Sequence, residues 1–533
     1  MDQPDCLQSQ KRIFKISMSH FLLSNILRSA FRKACAQQEV PKGQINDMHE
    51  SRRKFLKDTA IAGAGVIILP SLFDANVFDL DKKIVIVGAG MAGLNAAYQL
   101  QKMGLSATVY EAANRTGGRM YTMRNIFGEN ISTDIGGEFV DATHLDIIAL
   151  AKEFNLDMYQ LSEDKLTNKT FYFQNTFYSE QALGEALQPF VQQILADIIS
   201  LPQIKDHTTA AAIEKFDNQS ITVYIKNLGI DGWLYNFLCT VFTSEFGIEV
   251  AEQSALNFLI MFVAPLEAEN KYELFGQDHE VMKIKGGSQQ LSDAIANTLK
   301  NKILLQHELK AIHQKNNQTK LTFLNEGREV SVKADYVIMT LAFTKLKSVV
   351  MDLPMAAQKR KCIDELGYGN SSKFIMGFNG KPWRNMGRQG YTFTDENFGT
   401  GWDSSQLQSD TSASFTVFGG GNYSVAISNR KEQELSRDYV TALNKIYKGA
   451  SSAYTGKNIK FCWQNSPVAK AGYSCYKVGQ YSTIGGWEST PVGNVFFAGE
   501  HTSRDFQGYM NGAAESGRKV AEQIAAKILI KKY

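Results

Sequence analysis

The sequence lacks any large excess of charge of one sign. Of its 533 residues, 57 are basic and 54 are acidic, and residues 1–47 hold 7 of the basic and 4 of the acidic side chains. The rest of the chain therefore carries 50 of each sign, a balance that argues against recognition of a polyanion. A basic stripe with interleaved aromatic residues is also absent, so we expect no nucleic-acid partner.

Long apolar runs and paired cysteines are missing as well. The longest apolar stretch, 60–70, is about half of the roughly 20 residues that span a bilayer, so we expect no transmembrane helix. With 44% hydrophobic and 21% charged residues, the composition is that of a folded protein of two or three domains. The cysteines are too sparse for a disulfide scaffold and show no metal-binding spacing, so no metal is expected. They are Cys6, Cys35, Cys239, Cys362, Cys462 and Cys475.

Residues 51–73 read SRRKFLKDTAIAGAGVIILPSLF, a pair of arginines followed by a mildly apolar, Gly/Ala-rich run. The segment resembles a twin-arginine export signal, although a surface helix with a basic start is the alternative. The resemblance implies passage through the twin-arginine translocase to the bacterial periplasm, with a membrane tether if the signal is retained. Such signals begin shortly before their arginines, so we expect Met48 to be the true start; an unusually long leader remains the alternative.

A nucleotide-binding unit begins at Lys82 with KKIVIVGAGMAGLNAAYQLQKMGLSATVYEA. The pattern predicts a buried strand over 84–87, a glycine turn, a helix from about 91 to 102 and a second strand over 106–110. In such a βαβ unit the first glycine permits the turn, the second lets a pyrophosphate approach, and the third allows close helix packing. The helix N-terminus at Met91 and Ala92 adds partial positive charge. The three glycines are Gly88, Gly90 and Gly93.

An acidic residue at the end of the second strand indicates which nucleotide binds. Glu111, followed by Ala112, would accept hydrogen bonds from an adenosine ribose and would repel a 2′-phosphate, which disfavours NADP. The continuation EAANRTGGRMYT resembles the flavin-containing amine oxidase superfamily, in which this loop lies along the FAD pyrophosphate and the flavin. The resemblance implies that Arg115 and Arg119 neutralise phosphate charge and that Gly117 and Gly118 leave room for the ring.

The C-terminal segment NVFFAGEHTSRDFQGYMNGAAESGRKVAEQI resembles the second half of the same signature. The family pattern implies a strand over 496–498, a turn at Gly499 in which Glu500 holds a ribityl hydroxyl, and a helix from Tyr509 or Met510 aimed at the flavin. Two further segments, TDIGGEFVDATH and KIKGGSQQLSDAIA, resemble family landmarks beside the cofactor, and HELKAIHQ resembles a strand at the adenine. From these come three more predicted contacts: Gly136, Gly137 and Leu309.

Three residues match the reactive positions of the family. Lys373, in GYGNSSKFIMGF, corresponds to the lysine that holds a water near the flavin N5 atom, with a surface lysine as the alternative. Tyr473 and Tyr509 correspond to two aromatic residues that flank the substrate amine, with two core tyrosines as the alternative. Where monoamine oxidases carry the cysteine that links to FAD, this chain has Gly472, so we expect non-covalent FAD.

The family resemblance implies an amine oxidase that consumes amine and oxygen and releases hydrogen peroxide. Amino-acid oxidases of the superfamily have an arginine shortly after the D-x-G motif, but GGEFVD has none, which favours amines without a carboxylate. Glu138 is a candidate for attracting a second cationic group, or for a purely local role. The alternatives are an L-amino-acid oxidase or tryptophan 2-monooxygenase-like enzyme, using Arg388 or Arg504 for the carboxylate, and a non-catalytic flavoprotein.

We therefore predict an α/β fold, with a Rossmann-type FAD-binding domain built from discontinuous segments and a mixed α+β substrate domain with a helical insertion. Residues 1–47 form an extension before the predicted start, and 48–80 form the signal and linker. The FAD-binding domain takes 81–145, 281–345 and 461–533. The substrate domain takes 146–280, mainly helical, and 346–460, a sheet with helices. The sequence does not indicate an oligomeric state.

Overall fold

The computed structural model describes residues 82–201, 210–262, 282–301, 303–316, 318–408 and 411–530. The predicted extension and export signal, 1–47 and 48–80, lie outside these residues. Within the described ranges no helix is both long and apolar enough to cross a membrane.

A five-stranded parallel sheet forms the centre of the nucleotide-binding part, with strand order β10-β2-β1-β14-β21. Alternate side chains of β1 enter two cores, Ile84 and Ile86 on one face and Val85 and Val87 on the other. A sheet buried on both faces explains why its strands read as continuous apolar runs. The strands are β1 (Ile84–Val87), β2 (Ala107–Tyr110), β10 (Ile303–Leu304), β14 (Tyr336–Met339) and β21 (Val495–Phe497).

Two helices from opposite ends of the chain cover one face of this sheet. Helix α1 (Met91–Lys102) follows the glycine turn, and helix α16 (Met510–Ile530) packs along it. The two helices lie so close together that a Cβ on Gly517 would be 2.2 Å from the carbonyl oxygen of Ala92. The glycine in the last helix is therefore a packing requirement, since any side chain would separate the two helices.

Three smaller sheets adjoin the parallel sheet. One of four strands has the order β13-β12-β11-β15, one of three has the order β5-β9-β6, and one of two pairs β3 with β4. Their bounds are β3 (Thr122–Arg124), β4 (Ser132–Asp134), β5 (Phe139–Val140), β6 (Met158–Gln160), β9 (Met282–Ile284), β11 (Glu308–Lys315), β12 (Gln318–Asn325), β13 (Arg328–Ala334) and β15 (Val350–Asp352).

A seven-stranded sheet has the strand order β20-β16-β19-β18-β17-β7-β8. It joins strands from 170–178 to strands from 371–462, so the chain segments before and after the middle nucleotide-binding segment build one layer. Its strands are β7 (Thr170–Phe173), β8 (Thr176–Tyr178), β16 (Ser371–Asn379), β17 (Thr392–Thr394), β18 (Thr400–Asp403), β19 (Ser412–Gly420) and β20 (Tyr454–Cys462).

The helices between 180 and 262 share an apolar core with strands of the seven-stranded sheet, through residues such as Phe171, Phe393 and Trp402. The helical pattern predicted from Leu145 to Val281 is right for most of the described residues but wrong for β6, β7 and β8, which pair with strands distant in sequence. The remaining helices are α2 (Leu145–Glu153), α3 (Glu180–Leu187), α4 (Val191–Ser200), α5 (Ala210–Asp217), α6 (Ile221–Asn227), α7 (Gly232–Phe246), α8 (Ala255–Phe262), α9 (Gln289–Thr298), α10 (Phe343–Leu346), α11 (Ala357–Glu365), α12 (Gly421–Asn429), α13 (Glu432–Ile446), α14 (Ala450–Ala453) and α15 (Gln480–Thr483).

Candidate active site

A large cavity lies at the carboxyl ends of the parallel strands, where ligands of open α/β sheets bind. Its wall includes the residues that directly follow three of these strands, Gly88, Glu111 and Thr340, and also Gly499, the second residue after a fourth strand. The space outside the atoms along this wall, open mouth included, is about 1820 Å³.

The glycine turn presents bare backbone to this cavity. Gly88 has φ +106°, a left-handed conformation that glycine adopts readily, and a Cβ there would lie 2.4 Å from the Thr340 hydroxyl oxygen. A Cβ on Gly90 would meet only the Gly118 Cα, at 3.9 Å, so the space beyond Gly90 is open. Gly93 does not line the cavity; its Cβ would lie 2.0 Å from the Gly88 carbonyl oxygen, which makes it the packing glycine.

Glu111 is held firmly but still has room to bind a ligand. One carboxylate oxygen accepts from the Ala89 N–H and the other from the Ala113 N–H, both at 2.7 Å. A carboxylate offers about four acceptor positions, and these bonds use two of them. The remaining positions, on a cavity-lining residue, suit the two hydroxyls of a ribose.

The two arginines of the predicted FAD loop behave differently. Arg115 does not line the cavity; its guanidinium donates to the carbonyl oxygens of Thr116 and Gly118, at 2.9 and 2.6 Å, and lies 3.9 Å from the ring centre of Tyr121. These local bonds shape the loop, and the phosphate contact of Arg115 stays a prediction. Arg119 does line the cavity.

Arg119 and Glu500 form an ion pair that joins the first and last segments of the site. The distance from Arg119 Nη1 to Glu500 Oε1 is 2.9 Å, and Arg119 also donates to the Gly472 carbonyl oxygen. Glu500 further accepts from Ser474 Oγ at 2.7 Å and from the Gly508 N–H at 2.8 Å. Burial opposes ionisation of Glu500, but these partners, Arg119 first, hold its pKa below the usual value. Glu500 therefore lines the cavity and also links three parts of the site through its bonds to Arg119, Ser474 and Gly508.

Lys373 reaches the cavity from β16 and is 5% exposed. Its ammonium donates to the carbonyl oxygens of Asp134 and Gly136, at 2.7 and 3.0 Å, and to Glu138 Oε2 at 2.8 Å. Three acceptors match its three protons, so the ammonium is fixed beside the Gly136–Gly137 segment. The structure therefore places Lys373 at the cavity and not at the surface.

The two predicted tyrosines line the same cavity and are anchored by adjacent residues of one helix end. Tyr473 donates to the Ser244 carbonyl oxygen at 2.7 Å, and Tyr509 donates to Glu245 Oε1 at 3.1 Å. Burial, with the nearby Glu245 carboxylate, raises the pKa of Tyr473 well above its ordinary value. Its hydroxyl therefore stays neutral and its ring stays in place.

Most of the other predicted contacts also line the cavity. Gly137 touches Met510 so closely that a Cβ would lie 2.8 Å from its Cγ atom, and a Cβ on Gly472 would lie 2.6 Å from the Ser371 Cβ. A side chain at Gly137 or Gly472 would therefore collide with other residues of the cavity wall. The remaining predicted residues that line it are Met91, Ala92, Ala112, Gly117, Gly118, Gly136 and Leu309.

Sequence reasoning missed an aromatic wall beside Lys373. The ring of Trp402 lies 5.6 Å from that of Phe139 and 5.6 Å from that of Phe418, and all three residues line the cavity. No motif marks Trp402 and Phe418, which come together only when β18 and β19 pair, and Phe139 joins them from β5. Sequence reasoning also missed Lys283, which lies on β9 and donates a hydrogen bond to the Glu138 carboxylate.

A dinucleotide cradle that opens onto a buried lysine and two anchored tyrosines defines a flavin-dependent oxidoreductase of amines. The chain belongs to the family described as flavin containing amine oxidoreductase, whose model matches residues 91–525.

Individual relatives cover most of the chain at low identity. The flavin-containing amine oxidase B of Bos taurus is 26% identical over 467 residues, which cover 83% of this chain and 85% of that protein. The L-amino-acid oxidase of Demansia vestigiata is 21% identical over 478 residues, covering 83% and 86%.

Solved structures share the fold. Cyclohexylamine oxidase from Brevibacterium oxydans superposes with a TM-score of 0.73 at 22% identity, covering 84% of this chain and 99% of that one. A putrescine oxidase bound to putrescine gives a TM-score of 0.72 at 20% identity with the same coverage. The predicted α/β architecture is confirmed by this likeness.

The residues present fit the flavin nucleotide that the family implies. The bare backbone at Gly90 and Gly118 lies at the N-terminus of α1, where phosphate groups bind. Glu111 keeps two acceptor positions for a ribose, and the cavity continues past Gly136 and Gly137 to the tyrosines.

Proposed function

We propose that this protein is an FAD-dependent oxidase of monoamines that carry an apolar substituent and no carboxylate. The observation that carries the proposal is that Lys373, Tyr473 and Tyr509 line the same cavity as the glycine turn. Amine, oxygen and water would give aldehyde, ammonia and hydrogen peroxide. A flavin held there would supply a hydride acceptor and a route for the electrons to oxygen.

The protein's own residues would position the amine and keep water away from it. The rings of Tyr473 and Tyr509 are fixed through hydroxyls that bond Ser244 and Glu245, so they offer rigid walls to the reacting carbon. Lys373, held by its three bonds, would place a fixed positive charge beside the flavin for the oxygen step.

The wall chemistry supports a substrate without a carboxylate. Arg119 is the arginine among the described residues of the wall, and Glu500 and the Gly472 carbonyl already engage it. The arginines considered for an amino-acid substrate, Arg388 and Arg504, are not among the described residues that line the cavity. A buried carboxylate would therefore gain no strong partner from them.

The residues that line the cavity also support the proposal that the substrate has a single amine group. Glu138, considered as an anchor for a second cation, accepts from Lys283 at one oxygen and from Lys373 at the other, at 2.6 and 2.8 Å. Its charge is thus already matched, while the facing aromatic residues Phe139 and Trp402 suit an aryl or alkyl group.

Non-covalent attachment and the identity of the nucleotide belong to the same proposal. The cysteines of the described part of the chain, Cys239, Cys362, Cys462 and Cys475, do not line the cavity. At the position before Tyr473, a side chain on Gly472 would collide with Ser371. FAD is favoured over a 2′-phosphorylated nucleotide because Glu111 would accept hydrogen bonds from ribose hydroxyls and would repel a 2′-phosphate.

An anaerobic titration of the flavin-loaded protein with matched ligand pairs tests the proposal. We expect 2-phenylethylamine to bleach the flavin and L-phenylalanine not to, and butylamine to bleach it faster than putrescine does. Bleaching by the amino acid alone would establish an amino-acid oxidase instead. No bleaching by any of these compounds would leave a non-catalytic flavoprotein.

We also propose export by the twin-arginine route to the bacterial periplasm. The support is sequence alone: Arg52 and Arg53 precede Phe55 and a weakly apolar run. Replacing both arginines by lysine should retain the full-length protein in the cytoplasmic fraction, whereas replacing Lys57 by Gln should not. Equal distribution of the wild type and the double variant between fractions would contradict this proposal.

A further inference from the structure

Three charged side chains form a buried row at the cavity wall, in the order Lys283, Glu138, Lys373. Their exposed fractions are 4, 4 and 5%. Lys283 Nζ lies 2.6 Å from Glu138 Oε1, and Lys373 Nζ lies 2.8 Å from Glu138 Oε2. One carboxylate therefore serves two ammonium groups, where a simple buried ion pair needs only one of each.

The protein fixes each member of this row by further bonds. Trp402 Nε1 donates to Glu138 at 3.2 Å, and Lys283 donates to the Ser404 carbonyl oxygen at 2.8 Å. Glu138 and Lys373 line the cavity, whereas Lys283 lies behind them on β9. Burial opposes ionisation of Glu138, but the two ammonium groups, Lys283 first, hold its pKa below the usual value.

A fourth charged group lies near the row but faces elsewhere. The Asp134 carboxylate accepts from the hydroxyls of Thr122 and Ser288, at 2.5 and 3.1 Å, and none of these three residues lines the cavity. On the cavity side, Glu138 alone would cancel the charge of Lys373. With Lys283 bound to the other carboxylate oxygen, the row of three keeps one positive charge. Asp134 offsets this charge only when it is ionised, and burial raises its pKa to about 6.

We propose that Glu138 and Lys283 are positioning residues for Lys373: Glu138 fixes its ammonium at the wall, and Lys283 offsets the carboxylate so that Lys373 acts on the flavin as a net positive charge. The proposal rests on the proposed function, because it takes Lys373 to lie beside the flavin. Reduction adds negative charge to the flavin, so a positive charge beside it favours the reduced form.

The redox equilibrium of the bound flavin tests this proposal. Flavin-loaded protein is photoreduced without amine in the presence of a reference dye, and the ratio of reduced to oxidised flavin is read from the visible spectrum. We expect Lys283→Met to lower that ratio at least tenfold at a given dye potential, about 30 mV for a two-electron couple. In a Lys373→Met background the same substitution should change the ratio less than threefold, because its effect passes through Lys373.

Two further variants separate charge from structure. Lys283→Gln, which retains a donor but no charge, should give the same shift and replaces Lys283→Met if that protein does not fold. Lys381→Met removes another buried lysine, one that pairs with Asp403 at 3.4 Å and does not line the cavity, and it should leave the ratio unchanged. A purely structural role would alter thermal unfolding of the Lys283 variants without moving the ratio.

An unchanged ratio in the Lys283 variants, or an equal shift with and without Lys373, would overturn the proposal. The proposed function fails by a different result, the absence of bleaching by any amine. Because photoreduction needs no amine, the two failures are distinguishable. A chain that binds no flavin would overturn both.

Discussion

Two alanine substitutions in the glycine turn should have opposite consequences, because one glycine faces the ligand and the other faces the protein. At Gly90 an added Cβ meets only the Gly118 Cα, at 3.9 Å, and the residue has φ −77°, which alanine adopts freely. At Gly93 an added Cβ would lie 2.0 Å from the Gly88 carbonyl oxygen and 3.2 Å from the Ile86 Cγ2 atom.

The distances set the expected sizes. Gly93→Ala must displace α1 from the turn by about 1 Å or more, so we expect a loss of stability toward the upper end of the ~1–3 kcal/mol range for overpacking. Gly90→Ala should leave the flavin-free protein within about 1 kcal/mol of the wild type. Alanine is a poorer N-cap than glycine, but it also restricts the unfolded chain, and the two effects oppose each other.

Flavin binding, by contrast, should be weakened by Gly90→Ala. The Gly90→Ala methyl group would occupy the space through which a pyrophosphate reaches the backbone N–H groups, and a misfit of ~1–3 kcal/mol weakens binding about 5- to 150-fold. Thermal unfolding of the flavin-free protein and titration with FAD measure the two effects separately. Wild-type FAD affinity in Gly90→Ala, or unfolding as early as in Gly93→Ala, would refute this assignment of the two glycines.

Substitutions at three other positions give further tests. Burial raises the pKa of Asp134 to about 6 from 3.8, so between these pH values the folded protein keeps a proton that the unfolded chain has lost. The free energy of unfolding should therefore fall by about 3 kcal/mol as the pH rises from 3.8 to 6. In urea titrations, Asp134→Asn should flatten this dependence on pH. Tyr473→Phe, which loses the 2.7 Å bond to Ser244, should cost ~1 kcal/mol in thermal unfolding but keep anaerobic flavin reduction fast. Tyr473→Leu, which also loses the ring, should slow that reduction on the order of tenfold, and equal rates for both variants would contradict the role of the ring. Glu111→Gln turns an amide NH₂ toward a backbone N–H that now donates at 2.7 Å, so FAD titration should show affinity reduced at least tenfold (~1.4 kcal/mol).

The local parts of the site could be read from the sequence, because neighbouring residues determine them. The first βαβ unit is confirmed nearly to the residue, with strands at Ile84–Val87 and Ala107–Tyr110 and a helix at Met91–Lys102. A continuous apolar run, a glycine turn and a periodic helix are each contained within a few residues. The last helix begins at Met510, within the predicted start.

The parts that depend on distant contacts could not be read in this way. Glu138 and Lys283 are 145 positions apart, and no local pattern pairs them. The strand Thr170–Phe173 was missed because its partner is Thr392–Thr394, far along the chain.

The ion pair between Arg119 and Glu500 has a consequence for biosynthesis. The two residues are 381 positions apart, and Asn95 bonds the Ala514 carbonyl oxygen across 419. A ribosome that has finished the glycine turn still has most of the chain to make before either partner exists, and contacts of such separation form slowly. The flavin cradle would thus close only after synthesis reaches the final helix, and nucleotide captured then would stabilise the finished protein by mass action.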